Sequence, residues 1–303
     1  MKKLLISISL FIPFAAFIYC FLLIIWGTFA PSSFQKNLNY RIGGHMYERI
    51  REAQLTSKVD ILFLGSSHSY RGFDPRIFKK GGFSTFNLGS SSQSPLQTEV
   101  LLKRYLIHFK PNIIIYEVYP GTFSSDGVES SINILANDKN DMESIKMSLI
   151  QNHIKVYNAL IFSFYKNYSA NNPDELKSDL KEDDEYISGG YVQKKEMYNN
   201  RKSYKKNKWK LNNDQFSAFE KTINLIKKEN IRLILVQAPI TESYYSSFSN
   251  NLDFDNKMKS YGEYYNFNEL LQLDDSLHFY DSNHLNQSGV EVFNAEILKT
   301  IKM

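Results

Sequence analysis

Four short apolar runs, each bounded by glycine, proline, asparagine or a polar residue, limit most strongly what this chain can fold into. They are rich in β-branched and large side chains and are too short to be ordinary helices. We therefore expect each run to be a strand that is buried on both faces of a sheet. The predicted strands cover residues 59–64, 83–88, 113–118 and 231–237.

Segments with helical periodicity lie between and after these runs. Phe216, Phe219 and Ile223 recur at steps of three and four residues, which predicts an amphipathic helix with one buried face. The predicted helices cover residues 95–109, 214–230 and 287–301. Strands that alternate with helices are typical of a mostly parallel sheet covered on both faces, so we predict a three-layer α/β/α sandwich.

The composition of the chain argues against several classes of protein. Of its 303 residues, 43% are hydrophobic, so the chain can bury a sizeable core and is not largely disordered. A net charge of +4, scattered along the chain, argues against nucleic acid as a partner. The only cysteine is Cys20, and no metal-ligand spacing links His45, His108, His153 and His278. We predict neither a metal nor a cofactor.

Residues 4–26 contain no charged side chain and are long enough to cross a bilayer, which needs about 20 apolar residues. A secretory signal also begins with basic residues such as Lys2 and Lys3, but its apolar core is shorter, about 7–15 residues. We favour a retained transmembrane anchor at residues 1–30 that contacts the bilayer through residues 4–26, although cleavage stays open. The two lysines favour a single-pass cell membrane protein whose domain faces the extracytoplasmic side.

The rest of the chain divides into a predicted stalk at residues 31–58 and a domain at residues 59–303. Within this domain, residues 124–210 depart from the strand and helix pattern and are rich in Asn, Lys, Tyr and Ser. This long insertion is either a solvated segment that is partly helical over residues 142–165, or a lid or docking surface over the site.

The first predicted strand runs directly into Gly65, Ser66 and Ser67. Ligands bind at the carboxyl edge of a parallel sheet, and a serine there is exposed to a substrate. Backbone N–H groups at the start of the next helix can stabilise a developing oxyanion. Serine is also a common helix N-cap, so this motif alone leaves both roles open. We expect the side chain of His68, which follows Ser67 directly, to point away from the pocket.

The second predicted strand ends in Asn87, Leu88 and Gly89. A glycine at a strand end lets a backbone N–H approach a ligand closely, which suits an oxyanion donor. A plain turn explains the same three residues equally well.

Asp281 stands three residues before His284, immediately ahead of the last predicted helix. An aspartate at this spacing can fold back within one turn and accept the imidazole N–H. It would then stabilise the imidazolium that forms when the ring takes a proton from serine. The alternative is a polar loop in which Asp281 makes a turn and Asn286 caps the final helix.

Together, these three segments resemble blocks I, II and V of the SGNH/GDSL hydrolase superfamily, in the same order. The resemblance covers residues 59–303 without the insertion, and it implies the flavodoxin-like fold of that family. It implies Ser67 as the nucleophile, His284 as the base and Asp281 as the acid that orients the base. The backbone N–H groups of Gly89 and Ser67 are the oxyanion donors that the resemblance implies.

Two departures from the family pattern affect the oxyanion side of the site. Ser66 stands where the commonest motif has aspartate, and Glu117 lies in a segment without the family's oxyanion asparagine. Both departures resemble the divergent, amino-terminally anchored SGNH-like proteins of teichoic acid D-alanylation and alginate acetylation. Those proteins work beside a membrane-bound O-acyltransferase. The resemblance implies that Ser66, Glu117 and Asn286 support the site or bind substrate.

The expected function is that of an envelope-facing serine acyl hydrolase or O-acyltransferase. It would act on acyl esters of a polysaccharide or related polymer through an acyl-serine intermediate. The alternative is a catalytically inactive SGNH-like protein that binds polymer or docks a membrane-bound O-acyltransferase, because losing one oxyanion donor can lower a rate about 10²–10³-fold.

Overall fold

A computed structural model of the protein describes residues 1–31, 34, 35, 38, 44–169, 183–194 and 202–302. Parts of the predicted stalk and of the predicted insertion, residues 170–182 and 195–201 among them, lie outside the described residues. The helices of the described chain are α1 (Lys2–Phe29), α2 (Met46–Leu55), α3 (Ser67–Tyr70), α4 (Pro75–Lys80), α5 (Pro95–Phe109), α6 (Pro120–Phe123), α7 (Val128–Asn137), α8 (Met142–Gln151), α9 (Ile154–Ser169), α10 (Asn213–Lys228), α11 (Glu242–Tyr245), α12 (Asn251–Lys259), α13 (Phe267–Leu270) and α14 (Gln287–Lys302). Its strands are β1 (Ile61–Leu64), β2 (Thr85–Asn87), β3 (Ile113–Glu117), β4 (Asp184–Ile187), β5 (Tyr191–Lys194), β6 (Arg232–Gln237) and β7 (Tyr264–Asn266).

The central sheet of the described chain is parallel and has the strand order β2-β1-β3-β6-β7. This is the order of flavodoxin-like sheets, in which the direction of winding reverses between β1 and β3. The four predicted strands are confirmed to within two residues at each end. β7 was not predicted, because its three residues carry no apolar run that would distinguish a strand.

Alternate side chains of each strand face opposite helical layers, since successive residues of a strand point to opposite faces. In β1, Leu62 and Leu64 belong to one core cluster, whereas Ile61 and Phe63 belong to the other. Each fully buried side chain of this size stabilises the fold by about 1.5–3 kcal/mol. Helices α2, α5, α7, α8, α9, α10 and α12 cover the first face, and α4, α13 and α14 cover the second. The predicted three-layer α/β/α sandwich is therefore confirmed.

The predicted long helices are also present, and α5 has the predicted bounds. Ser94 is the N-cap of α5, and Pro95 occupies its first position, where the missing N–H costs nothing. The side chain of Gln97 accepts a hydrogen bond from the Ser94 N–H at 3.2 Å, which completes a capping box. These contacts fix the start of α5 at the carboxyl edge of the sheet.

The described part of the predicted insertion is largely helical, and α8 and α9 cover the stretch that was predicted to be partly helical. Ile134 of α7, Met147 of α8 and Val156 of α9 are buried in the first core cluster. The hairpin β4–β5 lies against the edge strand β2, where the Asn87 N–H donates to the Gly189 carbonyl at 2.9 Å. The sequence predicted helix in part of this segment, but not that its apolar side chains join the core of the domain.

The segment predicted as a stalk contains α2, which packs into the same core. Met46, Ile50 and Ala53 are buried at successive positions along one face of this helix. The described part of residues 31–58 therefore includes an element of the domain as well as a connection to it.

The amino-terminal helix α1 is long and apolar enough to cross a membrane. Most of its side chains are exposed, and its contacts with the domain are made near its carboxyl end. The Tyr19 hydroxyl donates to Asn158 Oδ1 of α9 at 2.7 Å. Gly27 is buried against the ring of Phe162, and a Cβ at this glycine would come 2.4 Å from that ring. This close approach requires glycine.

Candidate active site

Ser67 occupies the first position of α3, at the turn that follows β1. Gly65 has a φ of +134°, and a Cβ at this residue would come 2.8 Å from the Glu117 carbonyl oxygen. Only glycine fits a backbone that leaves the sheet this closely. Ser66 is the N-cap of α3, and its Oγ accepts from the His68 N–H at 3.4 Å. The turn therefore presents Ser67 at the carboxyl edge, between β1 and β3, where flavodoxin-like folds bind ligands.

The structure brings together the three side chains that were predicted to activate the serine. Ser67 Oγ lies 2.7 Å from His284 Nε2, and His284 Nδ1 lies 2.9 Å from Asp281 Oδ2. A proton on Nδ1 that is donated to the carboxylate leaves Nε2 free to accept the Ser67 O–H. The hydrogen-bond chain is continuous from nucleophile to acid.

The loop that carries Asp281 is organised by its own carboxylate. Asp281 Oδ1 accepts from the Asn283 N–H at 2.9 Å and from the His284 N–H at 2.8 Å. Burial would raise the pKa of Asp281, but the hydrogen bond and electrostatic interaction with the His284 ring, together with these N–H groups, hold it below its usual value. The carboxylate stays ionised and can stabilise an imidazolium.

The imidazole of His284 stacks with two other rings. The centroid of Tyr280 lies 5.4 Å away with the planes 4° apart, and that of His68 lies 4.9 Å away. The expectation that His68 points away from the pocket is wrong. A single residue step rotates a side chain by about 100° around a helix, which here sets His68 beside the base, against Tyr119 at 4.1 Å. Burial lowers the pKa of His68 well below its usual value, so this ring is neutral.

Ser66 and Glu117 were predicted to bind substrate or to support the oxyanion, and both side chains are buried behind the nucleophile. Glu117 lies at the end of β3, with Oε2 3.5 Å from Ser66 Oγ. Ser66 Oγ is also 3.2 Å from His68 Nδ1. Burial raises the pKa of Glu117 to about 8, against the opposing effect of nearby backbone N–H groups of Ala238, Ser66 and Tyr119. Ser66 and Glu117 therefore support the turn that carries Ser67 from inside the domain.

The oxyanion side of the site has one available backbone donor. In the described part of the chain, the Ser67 N–H has no acceptor, as expected at the first position of a helix. The Gly89 N–H, which the resemblance implies as a second donor, donates to Asn87 Oδ1 at 2.8 Å in this structure. The asparagine side chain folds over its own turn and accepts from this N–H, so the role of Gly89 as an oxyanion donor stays a prediction.

Asn87 is buried and makes further hydrogen bonds to the helix that carries the nucleophile. Its Nδ2 donates to the Ser69 carbonyl at 2.8 Å, and its Oδ1 accepts from Ser69 Oγ at 3.1 Å. The side chain therefore ties α3 to the end of β2. Its place at a strand end in the Asn87-Leu88-Gly89 motif was the available signal for this role.

Asn286 was predicted as a possible support of the site, with capping of the last helix as the alternative. Its Oδ1 accepts from the Gly289 N–H at 3.1 Å, and its Nδ2 donates to the Leu277 carbonyl at 2.8 Å. These bonds cap α14 and fix the loop before it. The capping interpretation fits the geometry of this residue.

One side of the site depends on a contact that the sequence did not predict. Arg71, on the turn after α3, pairs with Asp184 of the β4–β5 hairpin through two hydrogen bonds of 2.9 and 2.7 Å. The guanidinium lies 6.0 Å from the ring centroid of Tyr280, the residue that stacks on His284. No local motif joins positions 71 and 184, so only the folded chain reveals this pair.

A small cavity adjoins the base of the triad. It has a volume of about 10 Å³ and lies beside His284, Asn283 and Arg71, which is about the room that one water needs. Ser67 is half-buried. Among the described residues, no group of three or more His, Cys, Asp or Glu side chains could hold a metal.

Comparisons with known proteins add a likeness in overall structure. No protein-family model and no curated protein matches the chain. A solved structure described as an acylhydrolase from Bacteroides fragilis is similar with a TM-score of 0.39 and 10% identity, over 87% of this chain and 98% of that chain. Another, a GDSL-like lipase from Bacteroides thetaiotaomicron, has a TM-score of 0.40 and 12% identity, over 85% of this chain and 98% of that chain.

Proposed function

We propose that this chain is a serine acyl hydrolase or O-acyltransferase of the SGNH type that works through an acyl-serine intermediate. The observation that carries the proposal is the continuous chain of hydrogen bonds from Ser67 through His284 to Asp281. A serine that only capped α3 would need neither an imidazole at 2.7 Å nor a carboxylate behind it.

In the first half of the reaction, Ser67 Oγ forms a bond to the ester carbonyl carbon as His284 Nε2 takes the hydroxyl proton. The Ser67 N–H donates to the oxyanion, and Asp281 stabilises the imidazolium. The bond from carbon to the leaving oxygen then breaks, and His284 returns the proton to that oxygen. Water or a sugar hydroxyl repeats the sequence on the acyl-serine, which gives an acid or a new ester and restores Ser67.

The proposed substrate is an acyl ester of an extracytoplasmic polysaccharide or related polymer. The position of the half-buried Ser67 at the carboxyl edge of the sheet supports a substrate that reaches it from outside the domain. The length and apolar character of α1 support a single-pass anchor in the cell membrane, with the domain on the extracytoplasmic side. A membrane-bound O-acyltransferase is the proposed partner if the acyl group is transferred.

Labelling with a fluorophosphonate tests the nucleophile directly. The full-length protein in detergent is expected to be labelled at Ser67, and Ser67→Ala is expected to lose the label. Ser246→Ala, which removes an exposed hydroxyl at the end of α11, is the matched control and should be labelled like wild type. Equal labelling of wild type and Ser67→Ala would refute the proposed nucleophile.

The final acceptor of the acyl group distinguishes a hydrolase from an O-acyltransferase. A chromogenic acetyl ester would be supplied with and without an oligosaccharide acceptor, and the acetyl product identified. Free acetate alone indicates a hydrolase, whereas acetylated sugar at the expense of acetate indicates a transferase.

A second candidate function is that of a catalytically poor protein that binds acylated polymer or docks an acyltransferase. The hydrogen bond from Gly89 to Asn87 favours it, because this bond occupies a predicted oxyanion donor. Absence of phosphonate labelling, together with unchanged polymer binding by Ser67→Ala, would favour this alternative.

A further inference from the structure

Three large apolar residues are exposed at the corner between α8 and α9 in the part of the chain that the structure describes. Leu149 and Ile150 at the end of α8 are 63% and 51% exposed, and Ile154 at the start of α9 is 59% exposed. Three large aliphatic side chains at one corner are more than the scattered apolar surface of a soluble domain requires. We name Leu149, Ile150 and Ile154 the apolar corner.

The apolar corner lies beside α1. In the carboxyl-terminal half of α1, Tyr19 bonds to Asn158 and the later Gly27 packs on the later Phe162, so the order of contacts is the same along both helices. The two helices therefore run in the same direction along this contact. Moving along α1 towards its amino terminus leads past Ile154 and away from the domain.

The apolar corner also lies on the same side of the domain as the carboxyl edge of the sheet. Gln151, next to the corner, donates to the Asp126 carbonyl. The adjacent Gly127 carbonyl accepts from Gln97 at 3.2 Å, in the first turn of α5 that Ser94 caps at this edge. The part of α1 without domain contacts thus extends from the edge at which Ser67 lies.

Distances along α1 place this contact within reach of a bilayer. At about 1.5 Å per residue, Tyr19 lies about 22 Å along the axis from Leu4, the start of the apolar run. A hydrocarbon core about 30 Å thick that begins near Leu4 spans about 20 residues of a straight helix, so it ends about 8 Å beyond Tyr19. Asn158 of α9, which bonds to Tyr19, and the start of α9 before it then lie within the outer part of the bilayer.

We infer that the apolar corner inserts into the interfacial region of the lipid bilayer and turns the carboxyl edge of the sheet, with Ser67, towards the membrane surface. The inference rests on the proposed role of α1 as a retained anchor and does not depend on which acyl group is handled. Lipid is the occupant because the corner is continuous with an apolar helix of membrane-spanning length. Lys155 is exposed next to Ile154, where its ammonium can reach lipid phosphates.

This placement deepens the proposed function. Acyl groups would reach Ser67 from the plane of the membrane, carried by a lipid-borne donor or by a membrane protein, while polymer approaches from the aqueous side. Ser67 then lies between an acyl donor in the membrane and a polymer in the aqueous phase.

Depth measurements on the full-length protein in phospholipid nanodiscs test the inference. With Cys20 replaced by serine, a nitroxide would be attached to Ile154→Cys, and collisions with oxygen and with a water-soluble nickel chelate compared. Oxygen dissolves in lipid and the chelate does not, so the label at position 154 is expected to collide more with oxygen. Ile107→Cys, on a residue that is 77% exposed at the opposite edge of the sheet, is the matched control and should favour the chelate.

Different outcomes test the inference, the proposed anchor and the proposed nucleophile separately. A label at position 154 that behaves like the control, or that both reagents fail to reach because protein covers it, overturns insertion into lipid. A label at Leu10→Cys that reports water shows that the anchor itself is wrong. Phosphonate labelling of Ser67 in the same samples reports folding and the proposed nucleophile independently of depth.

A charge at the apolar corner provides a second readout. Ile150→Glu with Ile154→Glu is expected to lower turnover of an ester carried in the bilayer about tenfold, since charges are costly near the membrane interior. Turnover of a water-soluble ester should stay unchanged. Leu55→Glu with Ile107→Glu, which alters two exposed residues at the opposite edge, should affect neither substrate. Equal losses on both esters, or none on either, would contradict the inference.

Discussion

The base side and the oxyanion side of the candidate site differ in how completely they are built. On the base side, Ser67, His284 and Asp281 form an unbroken chain with distances of 2.7 and 2.9 Å. On the oxyanion side, the Ser67 N–H is available, whereas the Gly89 N–H is bonded to Asn87. Activation of a nucleophile and stabilisation of the intermediate therefore depend on separate parts of this fold.

The difference follows from the range of the interactions involved. Asp281 and His284 are three residues apart, and the carboxylate orders its own loop by accepting two backbone N–H groups. The oxyanion side requires the ends of β1, β2 and β3 to meet at the right spacing. The base side is set by one short segment. The oxyanion side depends on several segments that meet, so a change in any one of them can alter it.

The largest expected effect is on the base side, from Asp281→Asn. The amide keeps an oxygen for the backbone N–H groups but removes the charge that fixes the His284 tautomer, so turnover of a chromogenic ester should fall about 10⁴-fold. Asp275→Asn, in the loop that precedes Asp281, is the control and should retain activity. If Asp281→Asn lowered turnover by less than tenfold, His284 would act as a base without the charge of Asp281.

On the oxyanion side, Asn87→Ala removes the acceptor of the Gly89 N–H and two further contacts to Ser69. We expect the free energy of unfolding to fall by about 2–4 kcal/mol, because buried hydrogen bonds are lost. Turnover should fall about tenfold, an order of magnitude typical of a misplaced reacting group. Chemical denaturation and ester kinetics measure the two quantities.

The direction of the kinetic change for Asn87→Ala discriminates between two roles of this side chain. Slower turnover means that Asn87 positions α3. Faster turnover would mean that it withholds the Gly89 N–H from the oxyanion. Asn87→Asp keeps an oxygen for the Gly89 N–H and serves as the conservative comparison.

Glu117 should make stability depend on pH in a direction set by burial. Its pKa is raised to about 8 in the fold, so between its ordinary value near 4.5 and 8 the folded state binds the proton that the unfolded state has released. Stability from this group is full below pH 4.5 and is lost as pH rises towards 8. In wild type, the free energy of unfolding should therefore fall by an amount on the order of a few kcal/mol over this pH range. We expect Glu117→Gln to abolish this decrease.

Thermal unfolding from pH 5 to pH 8 checks this prediction. The melting temperature of wild type should fall more steeply with rising pH than that of Glu117→Gln. Glu185→Gln, at an exposed position of the β4–β5 hairpin, should keep the wild-type slope. Parallel slopes in all three proteins would rule out a buried neutral carboxyl at position 117.

The smallest expected effect concerns Asn286, which caps α14. Asn286→Ala should lower the free energy of unfolding by about 1 kcal/mol, the usual cost of a lost N-cap. Phosphonate labelling of Ser67 should proceed at the wild-type rate. A tenfold slower labelling without a change in stability would instead place Asn286 in the machinery of the base side.

The features that could be predicted from sequence are those set by local patterns. Apolar runs predicted β1, β2, β3 and β6, and a spacing of three residues predicted that Asp281 could reach His284. The contacts that could not be predicted join distant segments, as Arg71 and Asp184 do. Other errors arose where polar sequence hides a buried position, as for α7, or where a side chain takes up a neighbouring backbone group, as Asn87 does.

The glycine of α1 that packs on Phe162 has a consequence for the proposed role of α1 as an anchor. A domain joined to a membrane helix by linker alone samples a hemisphere of positions, and the effective concentration of its site near the surface falls with linker length. With α1 as the proposed anchor, docking of α9 against it would restrict that range and hold the serine at one height relative to the bilayer. Enlarging Gly27 would loosen the junction and spread the reaction over a range of heights while leaving the catalytic groups intact.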